Sequence, residues 1–120
     1  MKKLLITLML ISPFSFADWG DVYYCQMTSN STLTINGVRR DKTPERFHFK
    51  LDKEKQAMVF GKGGFFSATA LKVTDKTKYA PETWFSETTY ERSHFLEGRF
   101  LYSLIIPIDI STVTANCETF

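Results

Sequence analysis

The sequence is poor in the residues that most readily build metal, redox or catalytic sites. Its 120 residues include only two cysteines and two histidines. Its longest apolar segment, residues 4–11, is much shorter than the ~20 residues that a transmembrane helix needs. Sustained helical periodicity is also scarce, because apolar residues mostly alternate with polar ones. These shortages argue against a metalloprotein, a membrane-spanning helix and an α-helical fold.

The first residues form an export signal. Lys2 and Lys3 precede the apolar segment 4–11, and small residues at positions 15 and 17 fit the recognition pattern of a signal peptidase. We therefore predict cleavage after Ala17, and a periplasmic or secreted location in a bacterium. The predicted units are a signal peptide (1–17) and one small β domain (18–120).

The mature chain also lacks an excess of charge of either sign. The formal charge of +2 comes from Lys2 and Lys3, and the mature chain keeps 13 basic and 13 acidic residues. A neutral chain lacks the long-range field that attracts nucleic acid or an anionic membrane. We therefore expect no nucleic-acid partner, no membrane insertion after cleavage and no cofactor.

The two cysteines predict one disulfide. Cys25 and Cys117 lie near the two ends of the mature chain, and an even number of cysteines in an exported chain indicates pairing. Such a bridge brings the first and last strands to within about 6 Å between Cα atoms. It also closes almost the whole domain, so its stabilising effect should be large.

Alternating patterns divide the mature chain into short strands. The clearest is Arg46–Leu51, where Phe47, Phe49 and Leu51 share one face. Asn30–Ser31 and Asn36–Gly37 are turn signals, and 39–44 is a charged loop. The predicted strands are 22–27, 32–35, 46–51, 57–60, 65–73, 84–88, 100–105 and 113–118, with 74–81 as a polar connection.

Residues 89–98 permit two interpretations. Thr88 and Glu91 have the spacing of a helix capping box, and Gly98 could end a short helix. Alternatively, 93–96 is a strand and Glu97–Gly98 is a hairpin turn. We favour the hairpin, because strand-like residues flank the turn on both sides.

Seven or eight short strands predict an all-β domain. A small antiparallel up-and-down β-barrel is the first choice, because the disulfide would place the two terminal strands side by side, and their adjacency is what closing a barrel requires. A β-sandwich is the alternative.

Catalysis has little support in the sequence. Ser93 and His94 are adjacent, so on a strand they point to opposite faces and cannot form a nucleophile–base pair. His48 lies on the polar face of its strand, and no third ligand completes a metal site with the two histidines. We therefore predict a protein that is not an enzyme and holds no metal.

Aromatic residues are the compositional excess. Of 11 phenylalanines, nine lie outside the signal, together with five tyrosines and two tryptophans. We predict a binding module that holds a small apolar ligand in an aromatic-lined barrel. The predicted ligand-binding residues are Phe65, Phe66, Trp84, Phe85, Phe100 and Tyr102. The alternative is a protein–protein interaction module, such as a periplasmic inhibitor or an envelope-complex subunit, with exposed Tyr and Trp as its contact residues.

The two chain ends carry one resemblance. A signal peptide, Tyr23-x-Cys25 near the start, Cys117 at the end and a small β domain between them resemble the arrangement of bacterial periplasmic lysozyme inhibitors. The resemblance implies an inhibitor that acts by contact with a protein. That family's inhibitory-loop motifs are absent from this sequence, so the resemblance assigns no functional residue.

Overall fold

A computed structural model describes residues 17–74 and 83–119, which form an all-β domain without helices. The predicted signal peptide (1–17), except Ala17, and nearly all of the predicted connection 74–81 lie outside these residues. No helix in the described ranges is long and apolar enough to cross a membrane. The strands are β1 (Val22–Thr34), β2 (Arg39–Asp41), β3 (Arg46–Asp52), β4 (Ala57–Phe60), β5 (Ala70–Lys72), β6 (Trp84–Glu87), β7 (Glu91–Leu96), β8 (Arg99–Ile106) and β9 (Asp109–Glu118).

Eight of these strands form a nearly closed antiparallel barrel. The strand order is β5-β4-β3-β1-β9-β8-β7-β6, and β2 pairs with β1 outside this path. β5 and β6 approach each other at the remaining gap, where the backbone N–H of Thr74 donates to the carbonyl of Phe85 at 2.7 Å. Apart from β2, strands adjacent in the barrel follow one another along the chain, and the first and last strands, β1 and β9, pair with each other. The predicted up-and-down barrel is therefore confirmed over the sandwich.

The terminal strands of the barrel are joined as predicted. Cys25 and Cys117 lie directly opposite each other on β1 and β9, with Cα atoms 4.0 Å apart, and they form a disulfide. The Cys25 side chain is buried, whereas Cys117 is half-buried. A disulfide of this kind fits an oxidising compartment.

The β7–β8 connection is the predicted hairpin. Glu97 and Gly98 form its turn, and both have positive φ, at 51° and 76°. This is the backbone twist that two-residue hairpin turns prefer. Gly98 also approaches β9 closely, because a Cβ atom there would lie 2.9 Å from the carbonyl oxygen of Cys117. Glycine is therefore required at this position for two independent reasons.

β1 contains a bulge that the sequence prediction missed. Met27 pairs with Ala115 and Ser29 with Thr114, so Thr28 is an extra residue in the ladder. The predicted turn at Asn30–Ser31 is wrong, because β1 continues through it to Thr34. A bulge keeps a strand hydrogen-bonded while it shifts the alternation by one residue. In β1, odd-numbered residues face the interior before the bulge and even-numbered residues after it.

Two further predictions need correction. The predicted strand 65–73 is a strand only over Ala70–Lys72, because 65–68 form turns of the β4–β5 loop, in which Ala68 has a positive φ of 52°. The predicted charged loop 39–44 contains the short strand β2, which forms a hairpin with the end of β1. The loop residue Phe66 is nevertheless buried in the core. Phe66 therefore anchors the β4–β5 loop to the core, although it is not part of a strand.

Large aromatic side chains fill the interior. Phe47, Phe49 and Leu51 alternate inward from β3 as predicted, and each is at least nine-tenths buried. Phe100 from β8 lies near the centre of the cluster, with ring centroids of four phenylalanines 5.5–5.8 Å away. Large side chains let a short chain bury a substantial apolar area.

Candidate functional site

Of the six residues predicted to bind a ligand, all but Phe85 belong to the hydrophobic core cluster or pack against it. Phe66, Phe100 and Tyr102 are buried, and Phe66 contacts both of the others. Phe65 contacts Phe66 and Tyr102 from the β4–β5 loop. Trp84 and Phe85 lie on β6, and both are buried. Of the six, only Phe65 is half-buried, so it is the residue that a ligand entering from solvent would reach first.

The tryptophans do not form an exposed contact surface. Trp84 is buried, and half-buried Trp19 packs edge-on against it with a centroid separation of 4.7 Å. Exposed tyrosines do occur among the described residues, at Tyr24 and Tyr90, on different elements of the fold. The apolar residues that cluster on the surface are aliphatic instead.

The histidines and Ser93 are placed as their strands require. Ser93 is buried and pairs with Ser86, whereas His94 lies on the opposite face against the ring of Phe85, edge-on at 4.6 Å. Burial and then the charge of Arg92 lower the pKa of His94. His48 is exposed and stacks on Tyr24, 5.6 Å between ring centroids. In the described residues, Ser93 and His94 therefore do not act as a pair.

An open cleft of about 640 Å³ lies on the outside of the barrel, over the disulfide. Its polar lining includes Arg46, whose Nε donates to Oε1 of Gln26 at 3.0 Å. Both residues lie on outer faces of strands, so the cleft is a depression of the surface and not a route into the barrel. Its other polar lining residues are Tyr24, His48, Asn116 and Glu118.

The barrel interior becomes polar at one end. Asn30, Val113, Tyr102 and Ser93 lie opposite one another on four neighbouring strands, and all four are buried. The Tyr102 hydroxyl donates to the Glu91 carboxylate, and burial together with this bond raises the pKa of Tyr102. Oδ1 of Asn30 and Oγ of Ser93 have no hydrogen-bond partner within the described chain. Burying such atoms costs stability, so this end of the barrel is not arranged for stability alone.

A four-stranded extension, here called the arm, leaves the barrel at this same end. The arm comprises residues 31–41 and 104–112, from β1, β2, β8 and β9. It holds six of the ten exposed large hydrophobic residues of the described chain, although it is only a small part of that chain. These residues are Leu33, Ile35, Val38, Ile105, Ile108 and Ile110.

Backbone pairing brings these aliphatic side chains together. Leu33 lies opposite Ile110, and Ile110 lies opposite Ile105, so the three form one row across three strands. Residues directly opposite each other in a ladder share a face. At the tip, the N–H of Ile35 donates to the carbonyl of Ile108 at 2.8 Å, which joins the two turns. Ile35 and Ile108 are 73% and 63% exposed.

The charges on the apolar face of the arm are paired with each other. Arg39 lies opposite Leu33 and Asp41 opposite Ser31, so both side chains share the face of the aliphatic row. Nε of Arg39 lies 3.0 Å from Oδ1 of Asp41. Because both are exposed, the ion pair adds little stability. Because the two charges compensate each other, no unpaired charge of this ion pair lies beside the aliphatic row.

The sequence predictions missed the arm because they assigned Ile35 to a strand and Ile108 to none, without asking which aliphatic side chains are exposed. Ile35 adjoins the Asn36–Gly37 turn, and Ile108 follows Pro107 directly. Turns lie at the surface, so an aliphatic residue within or next to one is a signal of surface exposure. That signal was present in the sequence for both residues. The exposure of Leu33 was not, because it depends on the bulge.

Comparison of this chain with protein families, with curated proteins and with solved structures gives no match. The functional conclusion therefore rests on the site alone.

Proposed function

We propose that the protein is an exported, non-enzymatic binding module that contacts a protein partner through the arm. The observation that carries this proposal is the collection of six exposed aliphatic residues on one small extension. Val38 lies opposite Thr34 on the other face of the arm, whereas the remaining five continue the register of Leu33 and Ile110. The exposed fractions of these five correspond to an apolar area on the order of 500 Å², comparable to the largest patch on a typical monomer. Contiguous apolar surface of this size is typical of an interaction site.

Export supports the same proposal. The predicted signal peptide and the disulfide fit a periplasmic or secreted protein of a bacterium. Periplasmic inhibitors and envelope-complex subunits, the two classes considered from the sequence, both act by contact with a protein. Neither class needs a catalytic group or a cofactor.

The proposal is tested by site-specific photo-crosslinking in a bacterial host that exports the protein. A benzophenone amino acid replaces Ile35 at the arm tip or, as the control, Leu101, an exposed aliphatic residue on the barrel side of β8. We expect a crosslinked adduct from position 35 and none from position 101. The absence of an adduct at position 35, or equal adducts at both positions, would overturn the proposal.

A small apolar ligand at the arm end of the barrel is the second candidate function. Phe65 favours it, because its half-buried ring faces Tyr102 at 5.7 Å and lies 6.0 Å from Nζ of Lys42. Native mass spectrometry of the exported protein tests this candidate. A bound mass that is lost in Phe65→Ala and kept in Leu101→Ala is the expected result, and a spectrum of the bare chain alone contradicts it.

A further inference from the structure

We infer that the partner of the arm is a second copy of this chain, packed face to face against the first. This inference rests on the proposed function of the arm. It commits to the row of Leu33, Ile110 and Ile105 as the centre of the contact. Each of these three residues is between 38% and 55% exposed, and all lie on the outer face of one sheet.

The row has a geometry that suits self-association. The symmetric contact of a homodimer uses the same patch on both copies. A two-fold axis through the middle of the row places Ile110 against its own counterpart, with the flanking aliphatic residues around it. Packed β-sheets bury side chains in this way at a separation of about 10 Å. Such an axis brings the aliphatic row of one copy onto that of the other, so that only apolar side chains meet at its centre.

Charge favours this occupant in two ways. The chain from residue 18 onward has equal numbers of acidic and basic residues, so two copies do not repel each other through their net charge. On the apolar face, Arg39 is already paired with Asp41, so contact does not strand a buried charge. Because Arg39 and Asp41 carry opposite charges, they do not form the cationic surface beside the patch that would favour an anionic lipid membrane.

The free edge of the arm at β2 disfavours edge-to-edge pairing, the alternative to face-to-face packing of two sheets. Edge-to-edge pairing would extend the sheet through β2, which consists of Arg39, Arg40 and Asp41. In β2, charged side chains line the exposed edge, a known means of preventing such pairing. The contact that the arm favours is therefore through its face.

The size of the patch indicates a small interface. Two patches on the order of 500 Å² bury about 1,000 Å² in total, the smallest area expected of a specific interface. A contact of this size is typical of a weak, reversible dimer.

Sedimentation equilibrium of the mature chain tests the inference, at concentrations from about 5 μM to about 500 μM. The expected result is a weight-average mass that rises from one chain toward two chains over this range. Leu33→Ser combined with Ile110→Ser should weaken the association at least about tenfold, whereas the control Leu101→Ser should leave it unchanged. Circular dichroism of each variant checks that the barrel remains folded.

Two outcomes would overturn the inference. One is a mass of a single chain at every concentration, and the other is association that the double variant retains. The proposed function can fail separately, because it depends on the photo-crosslinking at position 35. An adduct of two chains supports both proposals, whereas an adduct with a different protein from a chain that sediments as a monomer supports the proposed function and removes the dimer.

Discussion

The two ends of the β1–β9 ladder use the same strands in opposite ways. At the barrel end, Cys25 and Met27 point inward and are at least nine-tenths buried, with Ala115 opposite Met27. At the arm end, Leu33 and Ile110 point outward and remain exposed. In β1 the difference arises at Thr28, whose insertion into the ladder reverses which side of the strand faces the interior. β9 keeps a single alternation, so Ile110 faces outward along the same strand whose Val113 and Ala115 face inward.

The reversal lowers the stability of the fold at the arm end. It buries Asn30 and Thr32, and the Oδ1 atom of Asn30 has no hydrogen-bond partner within the described chain. The same reversal exposes Leu33. Stability alone would favour the opposite arrangement, because apolar burial and satisfied polar groups both lower the free energy of the fold. The comparison indicates that the barrel end is arranged for stability and the arm end for contact.

Removing the disulfide should produce the largest effect, at the barrel end. The bridge links residues 92 positions apart, so its loss frees almost the whole unfolded chain. Cys25→Ser combined with Cys117→Ser should lower the free energy of unfolding by about 4 kcal/mol, measured by urea denaturation. Titration of the unreduced wild-type chain in denaturant should find no free thiol. Two free thiols would contradict the bridge and the stability argument together.

A core substitution and an arm substitution should differ strongly in cost. Phe100 is fully buried, so Phe100→Ala should lower the free energy of unfolding by about 4 kcal/mol. Leu33→Ala on the arm should change it by less than about 0.5 kcal/mol, because the side chain is 45% exposed. Chemical denaturation of both variants provides the measurement. A large loss in Leu33→Ala would mean that the arm residue stabilises the fold, against its assignment as a contact residue.

The smallest predicted effect has the opposite sign. Asn30→Val replaces a buried polar side chain that has an unpaired oxygen, so the free energy of unfolding should rise by about 1 kcal/mol. Thr112→Val, at an exposed position on the outward face of β9, is the control and should change it by less than about 0.5 kcal/mol. Thermal or urea unfolding distinguishes the two. A destabilised Asn30→Val variant would show that Asn30 has a stabilising partner, and that the reversal has no cost at this position.

The candidate site illustrates the limits of sequence reasoning in individual residues. Phe66 and Phe100 were predicted to bind a ligand in the barrel, and both lie buried in its interior. Alternation does not distinguish a ring that fills a core from one that lines a cavity. Ile35 and Ile108 could have been recognised as exposed, since each adjoins turn residues. Leu33 could not, because it has the same sequence phase as Cys25 and Met27, and phase is the only information that a strand pattern contains.

The sequence by itself determined the all-β class, the hairpin at Glu97–Gly98 and the pairing of Cys25 with Cys117. Each follows from local patterns or from the small number of ways in which two cysteines can pair. Only the tertiary structure decided that β1 continues through Asn30–Ser31 and bulges at Thr28, and therefore that Leu33 faces outward on the arm. A bulge is fixed by the match between β1 and its distant partner β9, and no local stretch of sequence records that match.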